Sequence, residues 1–200
     1  DSARASARAR LRGLLPATVA ESLESRRLVG ISPGAAFGTA KRWPAERFAE
    51  LALRLNRDLG AVSIFFGSKE EAPLAESLLP KAGGAAVSLA GKTSLAEFMS
   101  LIPGCDLYLS NDTGAMHVAA AFGVPTLAIF GPTDEQATRP LGPRVQLIVG
   151  HAECRPCLLR HCPIDHRCMN SVSVEAVFEA ARLMLSGARA ERSAWQEDYA

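Results

Sequence analysis

The chain has 200 residues, of which 48% are hydrophobic, and its formal net charge is +1 at pH 7. This composition suffices for one well-packed α/β domain, while a charge so close to zero gives no support for a nucleic-acid partner, whose electrostatic footprint is basic and clustered. No apolar run approaches the roughly 20 residues of a membrane-spanning helix, and the first residues lack the hydrophobic segment of a signal peptide, so we expect a cytoplasmic protein.

The first 27 residues are rich in Ala, Arg and Ser and carry no initial Met, so we expect a fragment or a processed chain. We interpret this stretch as a solvated, partly helical linker or amino-terminal extension. The alternative is a basic edge that faces a membrane surface or a preceding domain, because Arg4, Arg8, Arg10 and Arg12 lie close together.

Short apolar runs alternate with segments of helical periodicity from residue 28 onward. The predicted strands are, in chain order, residues 28–32, 61–66, 86–89, 107–109, 126–130 and 145–149. Apolar side chains at helical spacing predict helices between the strands and a last amphipathic helix from about Ser173. Val, Ile, Leu and Phe dominate the strands without polar alternation, as expected of strands that are buried on both faces. We therefore predict an α/β domain over residues 28–186 with a doubly wound parallel sheet, followed by a carboxyl-terminal tail or helix over residues 187–200.

The loop after the first strand, residues 33–44, has the composition of an anion site. Gly34 and Gly38 allow the backbone to approach a ligand closely, and Lys41 and Arg42 add two cations just before a predicted helix start. Phosphate or diphosphate fits this combination, although neither a Walker loop nor the dinucleotide-binding glycine pattern is present. The alternative is a surface loop whose cations are merely solvated.

A second informative turn follows the strand at 107–109, in a segment that reads as strand, turn, helix and strand. Parallel strands place such turns at the carboxyl edge of the sheet, where open α/β sheets bind ligands. The polar residues of this turn and helix are Asn111, Asp112, Thr113, Gly114 and His117. They could serve only as helix N-caps, or, for the histidine, as a buried structural group. Because a carboxylate repels phosphate, Asp112 is better suited to sugar hydroxyls, with Thr113 and the Gly114 amide facing phosphate.

Glu70 and Glu71 follow the second strand at the same edge. A carboxylate there could accept both hydroxyls of a ribose, as acidic residues do in dinucleotide sites. Carboxylates are also favourable in the first turn of any helix, and this alternative stays open.

Four cysteines lie within one loop near the carboxyl end: Cys154, Cys157, Cys162 and Cys168, with three histidines among them. Zinc or an iron–sulfur cluster, a reversible disulfide and plain free thiols are all consistent with this spacing. Cys105 is expected in the core. No nucleophile arrangement is evident, and no general base is apparent except Asp112, so the chain reads as half of an active site.

Three segments resemble the carboxyl-terminal domain of glycosyltransferase family 9: PGAAFGTAKRWP (33–44), FGSKEE (66–71) and SNDTGAMHVAAAFGVPTLAIFGPTD (110–134). Within this family the chain is most similar to the ADP-heptose:lipopolysaccharide heptosyltransferases, in the heptosyltransferase II branch. The resemblance implies a GT-B architecture, in which two Rossmann-like domains face a cleft and the carboxyl-terminal one holds the nucleotide sugar. It also implies an inverting transfer of heptose from ADP-heptose to the lipopolysaccharide inner core, with no metal or other cofactor.

By motif match, Lys41 is the phosphate-binding lysine, with Arg42 beside it, and Glu71, or alternatively Glu70, holds the adenosine ribose. The family element Asp-(Ser/Thr)-Gly-x-x-His, which contacts diphosphate and heptose, corresponds to Asp112, Thr113, Gly114, Met116 and His117. The catalytic carboxylate of the family lies in the amino-terminal domain. We therefore expect no catalytic residue in this chain, and no turnover by it alone.

The partners that the resemblance implies are ADP-heptose and, through the amino-terminal domain, the lipopolysaccharide core acceptor, with peripheral association at the inner face of the inner membrane. Three alternatives stay open. One is a nucleotide-sugar-binding module with no catalytic history, and another is a glycosyltransferase with a different donor such as UDP-N-acetylglucosamine, since fold alone does not fix the substrate. The third is a metal- or redox-responsive regulatory domain organised around residues 154–168.

Overall fold

The computed structural model describes residues 2–187 of the chain. A single six-stranded sheet lies at its centre, with the strand order β3-β2-β1-β4-β5-β6 and every neighbouring pair parallel. The strands are Leu28–Ser32 (β1), Val62–Phe65 (β2), Ala86–Ser88 (β3), Leu107–Asn111 (β4), Thr126–Phe130 (β5) and Val145–Val149 (β6). The predicted doubly wound parallel sheet is confirmed.

Helices cover both faces of this sheet. They are Ser2–Leu14 (α1), Ala17–Ala20 (α2), Ala45–Leu59 (α3), Ala72–Leu78 (α4), Leu95–Leu101 (α5), Gly114–Ala121 (α6), Glu135–Thr138 (α7), Arg167–Asn170 (α8) and Val174–Ser186 (α9). Successive strand residues point to opposite faces, so Val29 and Ile31 pack in a core cluster with α3, α4 and α9, while Leu28 packs in a second cluster with α1 and α5. All residues of β1, β2, β4 and β5 are buried, as their apolar composition predicts.

The amino-terminal segment is partly helical, as predicted, but one side of it packs on the domain and is not solvated. Leu11 in α1 and Leu23 after α2 are both fully buried in the second core cluster. The Arg8 guanidinium is buried as well, and it donates to the Asp106 carboxylate at 2.8 Å and to the carbonyl of Leu23 at 2.7 Å. These contacts compensate the buried charge of Arg8, which would otherwise oppose packing. The domain boundary at residue 27 stays a prediction.

The predicted last helix is α9. The Ser173 hydroxyl accepts a hydrogen bond from the Ala176 amide at 3.2 Å, which caps the helix start, and Gly187 ends it with a left-handed backbone. The predicted tail beyond Gly187, including Trp195, lies outside the described residues. Within residues 2–187, no helix combines the length and the apolar character that crossing a membrane requires.

Candidate functional site

Two of the predicted loops meet at the carboxyl edge of the sheet. β1 and β4 are neighbours whose ends are in register, with Ser32 opposite Ser110, so the loops that follow them start side by side. The Lys41 ammonium donates to Oδ2 of Asp112 at 2.7 Å, and the two side chains are only 14% and 6% exposed. Because little water reaches this pair, its Coulomb attraction is screened less than that of a surface pair. The pair therefore joins the two predicted ligand-binding segments.

The Asp112 carboxylate also connects a third strand-end loop. Thr133, in the loop after β5, donates from its hydroxyl to the same Oδ2 atom at 2.7 Å. The amide of Asp112 donates to the carbonyl of Ile129 at 3.1 Å, which fixes the backbone beneath this carboxylate. Thr133 was not among the predicted site residues. Its position at a strand end, next to Gly131 and Pro132, was the available signal.

Asn111 makes its contacts beneath the carboxyl edge of the sheet and not on its surface. Its side chain is fully buried, and its amide accepts from the Trp43 backbone N–H at 3.0 Å and donates to the carbonyls of Pro33 and Gly34 at 2.9 and 3.0 Å. Asn111 therefore does not cap the following helix. That role belongs to Thr113, whose hydroxyl accepts from the Ala115 amide at 3.3 Å.

The remaining residues of the predicted Asp112–His117 element divide between solvent and core. Gly114 is exposed at the first position of α6, and His117 is exposed one turn later, so a buried structural histidine is wrong. Met116 is fully buried and packs with Ala128 and Phe130, which places its side chain beneath the carboxyl edge of the sheet.

The two cations of the loop after β1 have different surroundings. Lys41 ends a short 3-10 turn, Thr39–Lys41, and its ammonium lies 5.1 Å from the centre of the Phe37 ring in addition to its pairing with Asp112. Arg42 donates to the carbonyl of Ala35 at 3.3 Å, and its Nε is buried without a hydrogen-bond partner among the described residues. Lys41 thus faces the neighbouring loops, whereas Arg42 braces its own loop.

The structure separates the two glutamates after β2. The Glu71 carboxylate accepts from the Ser68 amide at 2.9 Å and lies against Gly34, where an added Cβ would come within 1.9 Å of Oε1. Glu70 is exposed, and the Ser68 side chain lowers the pKa of its carboxyl group. Glu71 therefore borders the loop of Lys41. It occupies the N-cap position of α4 but makes no side-chain capping hydrogen bond there, and its ribose role stays a prediction.

Of the four clustered cysteines, Cys154, Cys157 and Cys162 lie in the cysteine-rich loop, residues 151–166, whereas Cys168 lies in α8 and not in the loop as expected. This loop forms a wall beside the carboxyl edge of the sheet. The amides of Cys157 and Leu158 donate to the carbonyl of Pro132 at 3.0 and 2.9 Å, and the Ala40 amide donates to the carbonyl of Arg160 at 3.0 Å. The loop thus contacts the segments after both β5 and β1, a placement that its cysteine spacing did not predict.

All five cysteines are free thiols in the structure. Among the described residues, no three His, Cys, Asp or Glu side chains are grouped so that they could hold a metal ion. Burial raises the pKa of the Cys168 thiol and, to about 12, that of Cys105, which lies in the core as predicted.

Comparison with known proteins gives consistent matches. The sequence matches the family model described as glycosyltransferase family 9 (heptosyltransferase) over residues 3–167. The lipooligosaccharide heptosyltransferase 2 of Campylobacter jejuni is 35% identical over 165 residues, which are 80% of this chain and 51% of that protein. The protein with the same description from Haemophilus influenzae is 42% identical over 130 residues, or 63% of this chain and 37% of that one.

The fold matches as well. The solved structure of Escherichia coli ADP-heptose lps heptosyltransferase II superposes with a TM-score of 0.69 at 32% identity, covering 81% of this chain and 47% of that one. The chain spans about half the length of the curated relatives it matches.

Proposed function

The chain belongs to glycosyltransferase family 9, and we propose that it is the donor-binding half of an enzyme that transfers heptose from ADP-heptose to the lipopolysaccharide inner core with inversion. Support comes from the heptosyltransferase descriptions of its relatives and from the parallel sheet that it shares with a solved heptosyltransferase. The donor is proposed to bind along the carboxyl edge of the sheet, over the loops that follow β1, β2, β4 and β5.

The observation that carries this proposal is the ion pair of Lys41 with Asp112. As the glycosidic bond of ADP-heptose breaks, the leaving diphosphate gains negative charge. The Lys41 ammonium, already oriented by Asp112 and shielded from water, stabilises that charge without reorganising. The amino terminus of α6, which begins at Gly114, directs the positive end of its helix dipole toward the same edge.

The other predicted site residues at the carboxyl edge of the sheet supply the remaining contacts of the donor. The Glu71 carboxylate accepts hydrogen bonds from the hydroxyl groups of the ribose, and the second oxygen of Asp112 accepts a hydrogen bond from a hydroxyl group of the heptose. Thr113 and His117 face the diphosphate and the sugar, and Arg42 adds positive charge behind Lys41.

Proton removal from the acceptor hydroxyl requires a base that these loops do not provide. We propose that this base is a carboxylate in the amino-terminal domain of the family, which also meets the lipopolysaccharide acceptor. We propose that the reaction takes place in the cytoplasm, at the inner face of the inner membrane, where a lipid-anchored acceptor would be reached. No metal ion is assigned to the reaction.

Mixing this chain with ADP-heptose and an inner-core acceptor, while measuring bound donor and released ADP separately, tests the proposal. The expected result is saturable donor binding with no steady release of ADP. Sustained release would contradict the assignment of the base to another domain, and a lack of donor binding would contradict the donor site itself.

A further inference from the structure

Asn111 is the last residue of β4, and its side chain makes three hydrogen bonds, all of them to the backbone of the loop that follows β1. Its Oδ1 accepts from the Trp43 N–H, and its Nδ2 donates to the carbonyls of Pro33 and Gly34. The partners determine the orientation of the amide, because a backbone N–H can only donate and a carbonyl can only accept. The side chain is fully buried, so it does not touch a bound donor.

These bonds tie the two ends of the loop that carries Lys41. Pro33 and Gly34 begin this loop, whereas Trp43 ends it. Trp43 is itself held from the other side, since its indole Nε1 donates to the carbonyl of Val172 at 2.9 Å. Only Arg42 separates Lys41 from this doubly held residue, so the backbone position of Lys41 follows from where Asn111 holds Trp43.

We propose that Asn111 is a positioning residue of the donor site: it holds both ends of the phosphate-binding loop so that Lys41 reaches the diphosphate. This inference rests on the proposed function. An asparagine is required because the position needs one acceptor and two donors in a compact side chain. An aspartate has the same shape but carries no donor, and its charge would face two carbonyl oxygens.

A double-mutant cycle tests whether Asn111 acts through Lys41. ADP affinity is measured by calorimetry for the unsubstituted 200-residue chain, N111D, K41A and K41A/N111D. Each single substitution should weaken ADP binding about tenfold or more, and the double variant should bind about as weakly as one single variant, as expected for residues that act as a unit. N56D is the control, because the half-buried Asn56 also donates from its side-chain amide to a backbone carbonyl, that of Ala61 at 3.0 Å, which lies just before β2 at the opposite end of the sheet. It should leave ADP affinity unchanged.

The inference is overturned if N111D binds ADP like the unsubstituted chain, or if its loss and that of K41A multiply in the double variant. Amide hydrogen exchange on the unsubstituted chain provides a test that needs no folded variant. The Trp43 amide should exchange as slowly as the amides of β4, and rapid exchange would overturn the role of Asn111. Failure of the proposed function looks different: the unsubstituted chain would then bind no ADP, while Trp43 protection would still decide whether Asn111 holds the loop.

Discussion

Replacing Asp112 by Asn should destabilise the fold through Lys41. The substitution keeps the shape of the side chain but leaves the Lys41 ammonium, which is 14% exposed, without its anion. Removing one partner of a buried pair typically costs about 3–5 kcal/mol. Because this pair lies at the edge of the sheet and water can partly reach the ammonium, we expect the free energy of unfolding to fall by about 2 kcal/mol. In a chain of this length such a loss lowers Tm by roughly 4–8 °C.

Urea unfolding of the unsubstituted chain, D112N, K41M and K41M/D112N, followed by circular dichroism, measures the coupling within the pair. The double variant should lose less than the sum of the single losses, by about 1–3 kcal/mol. The exposed pair of Lys81 with Glu46, whose side chains are 54% and 66% exposed, is the matched control and should show a coupling below about 1 kcal/mol. Additive losses at Lys41 and Asp112 would refute the ion pair as a feature of the folded chain.

Three further predictions concern other parts of the molecule. D106N should cost about 3–5 kcal/mol in urea unfolding, because it leaves the buried Arg8 guanidinium without its carboxylate, and a loss below about 1 kcal/mol would contradict this. G34A should displace the Glu71 carboxylate and weaken ADP binding by about tenfold, which corresponds to about 1.4 kcal/mol. The binding of inorganic pyrophosphate, which has no ribose, should be retained. An equal loss of affinity for both ligands would contradict a ribose contact. Burial raises the pKa of Cys105 from 9.0 to about 12. The unfolded chain therefore loses this proton first, and the free energy of unfolding should fall as pH rises between these values, with a smaller slope for C105A; identical slopes would contradict the burial of this thiol.

The sequence predicted the sheet because its signals are local. Each strand is an apolar run of buried residues, and the carboxyl edge follows from the parallel arrangement alone. That edge correctly brought Lys41 and Asp112 together, although they are 71 residues apart. The roles of the predicted site residues toward a donor stay predictions.

Features that depend on long-range contacts could not be read from local patterns. The first 27 residues look like a solvated linker because the partner of Arg8, Asp106, lies 98 residues away. Thr133 and Asn111 contribute to the site through hydrogen bonds to other loops, and such partners cannot be predicted from the residue type. The composition of the cysteine-rich loop is consistent with a metal site. Its position as a wall beside the carboxyl edge of the sheet follows only from backbone contacts with Pro132 and Ala40.

Calorimetric titration of the 200-residue chain with ADP and then with UDP tests the donor site most directly. K41A removes the ammonium at the centre of the site, and K81A removes a lysine of the exposed control pair. The account predicts ADP binding in the micromolar range that K41A weakens and K81A preserves, with no binding of UDP. Equal ADP binding by K41A and the unsubstituted chain, or no binding of ADP at all, would contradict it.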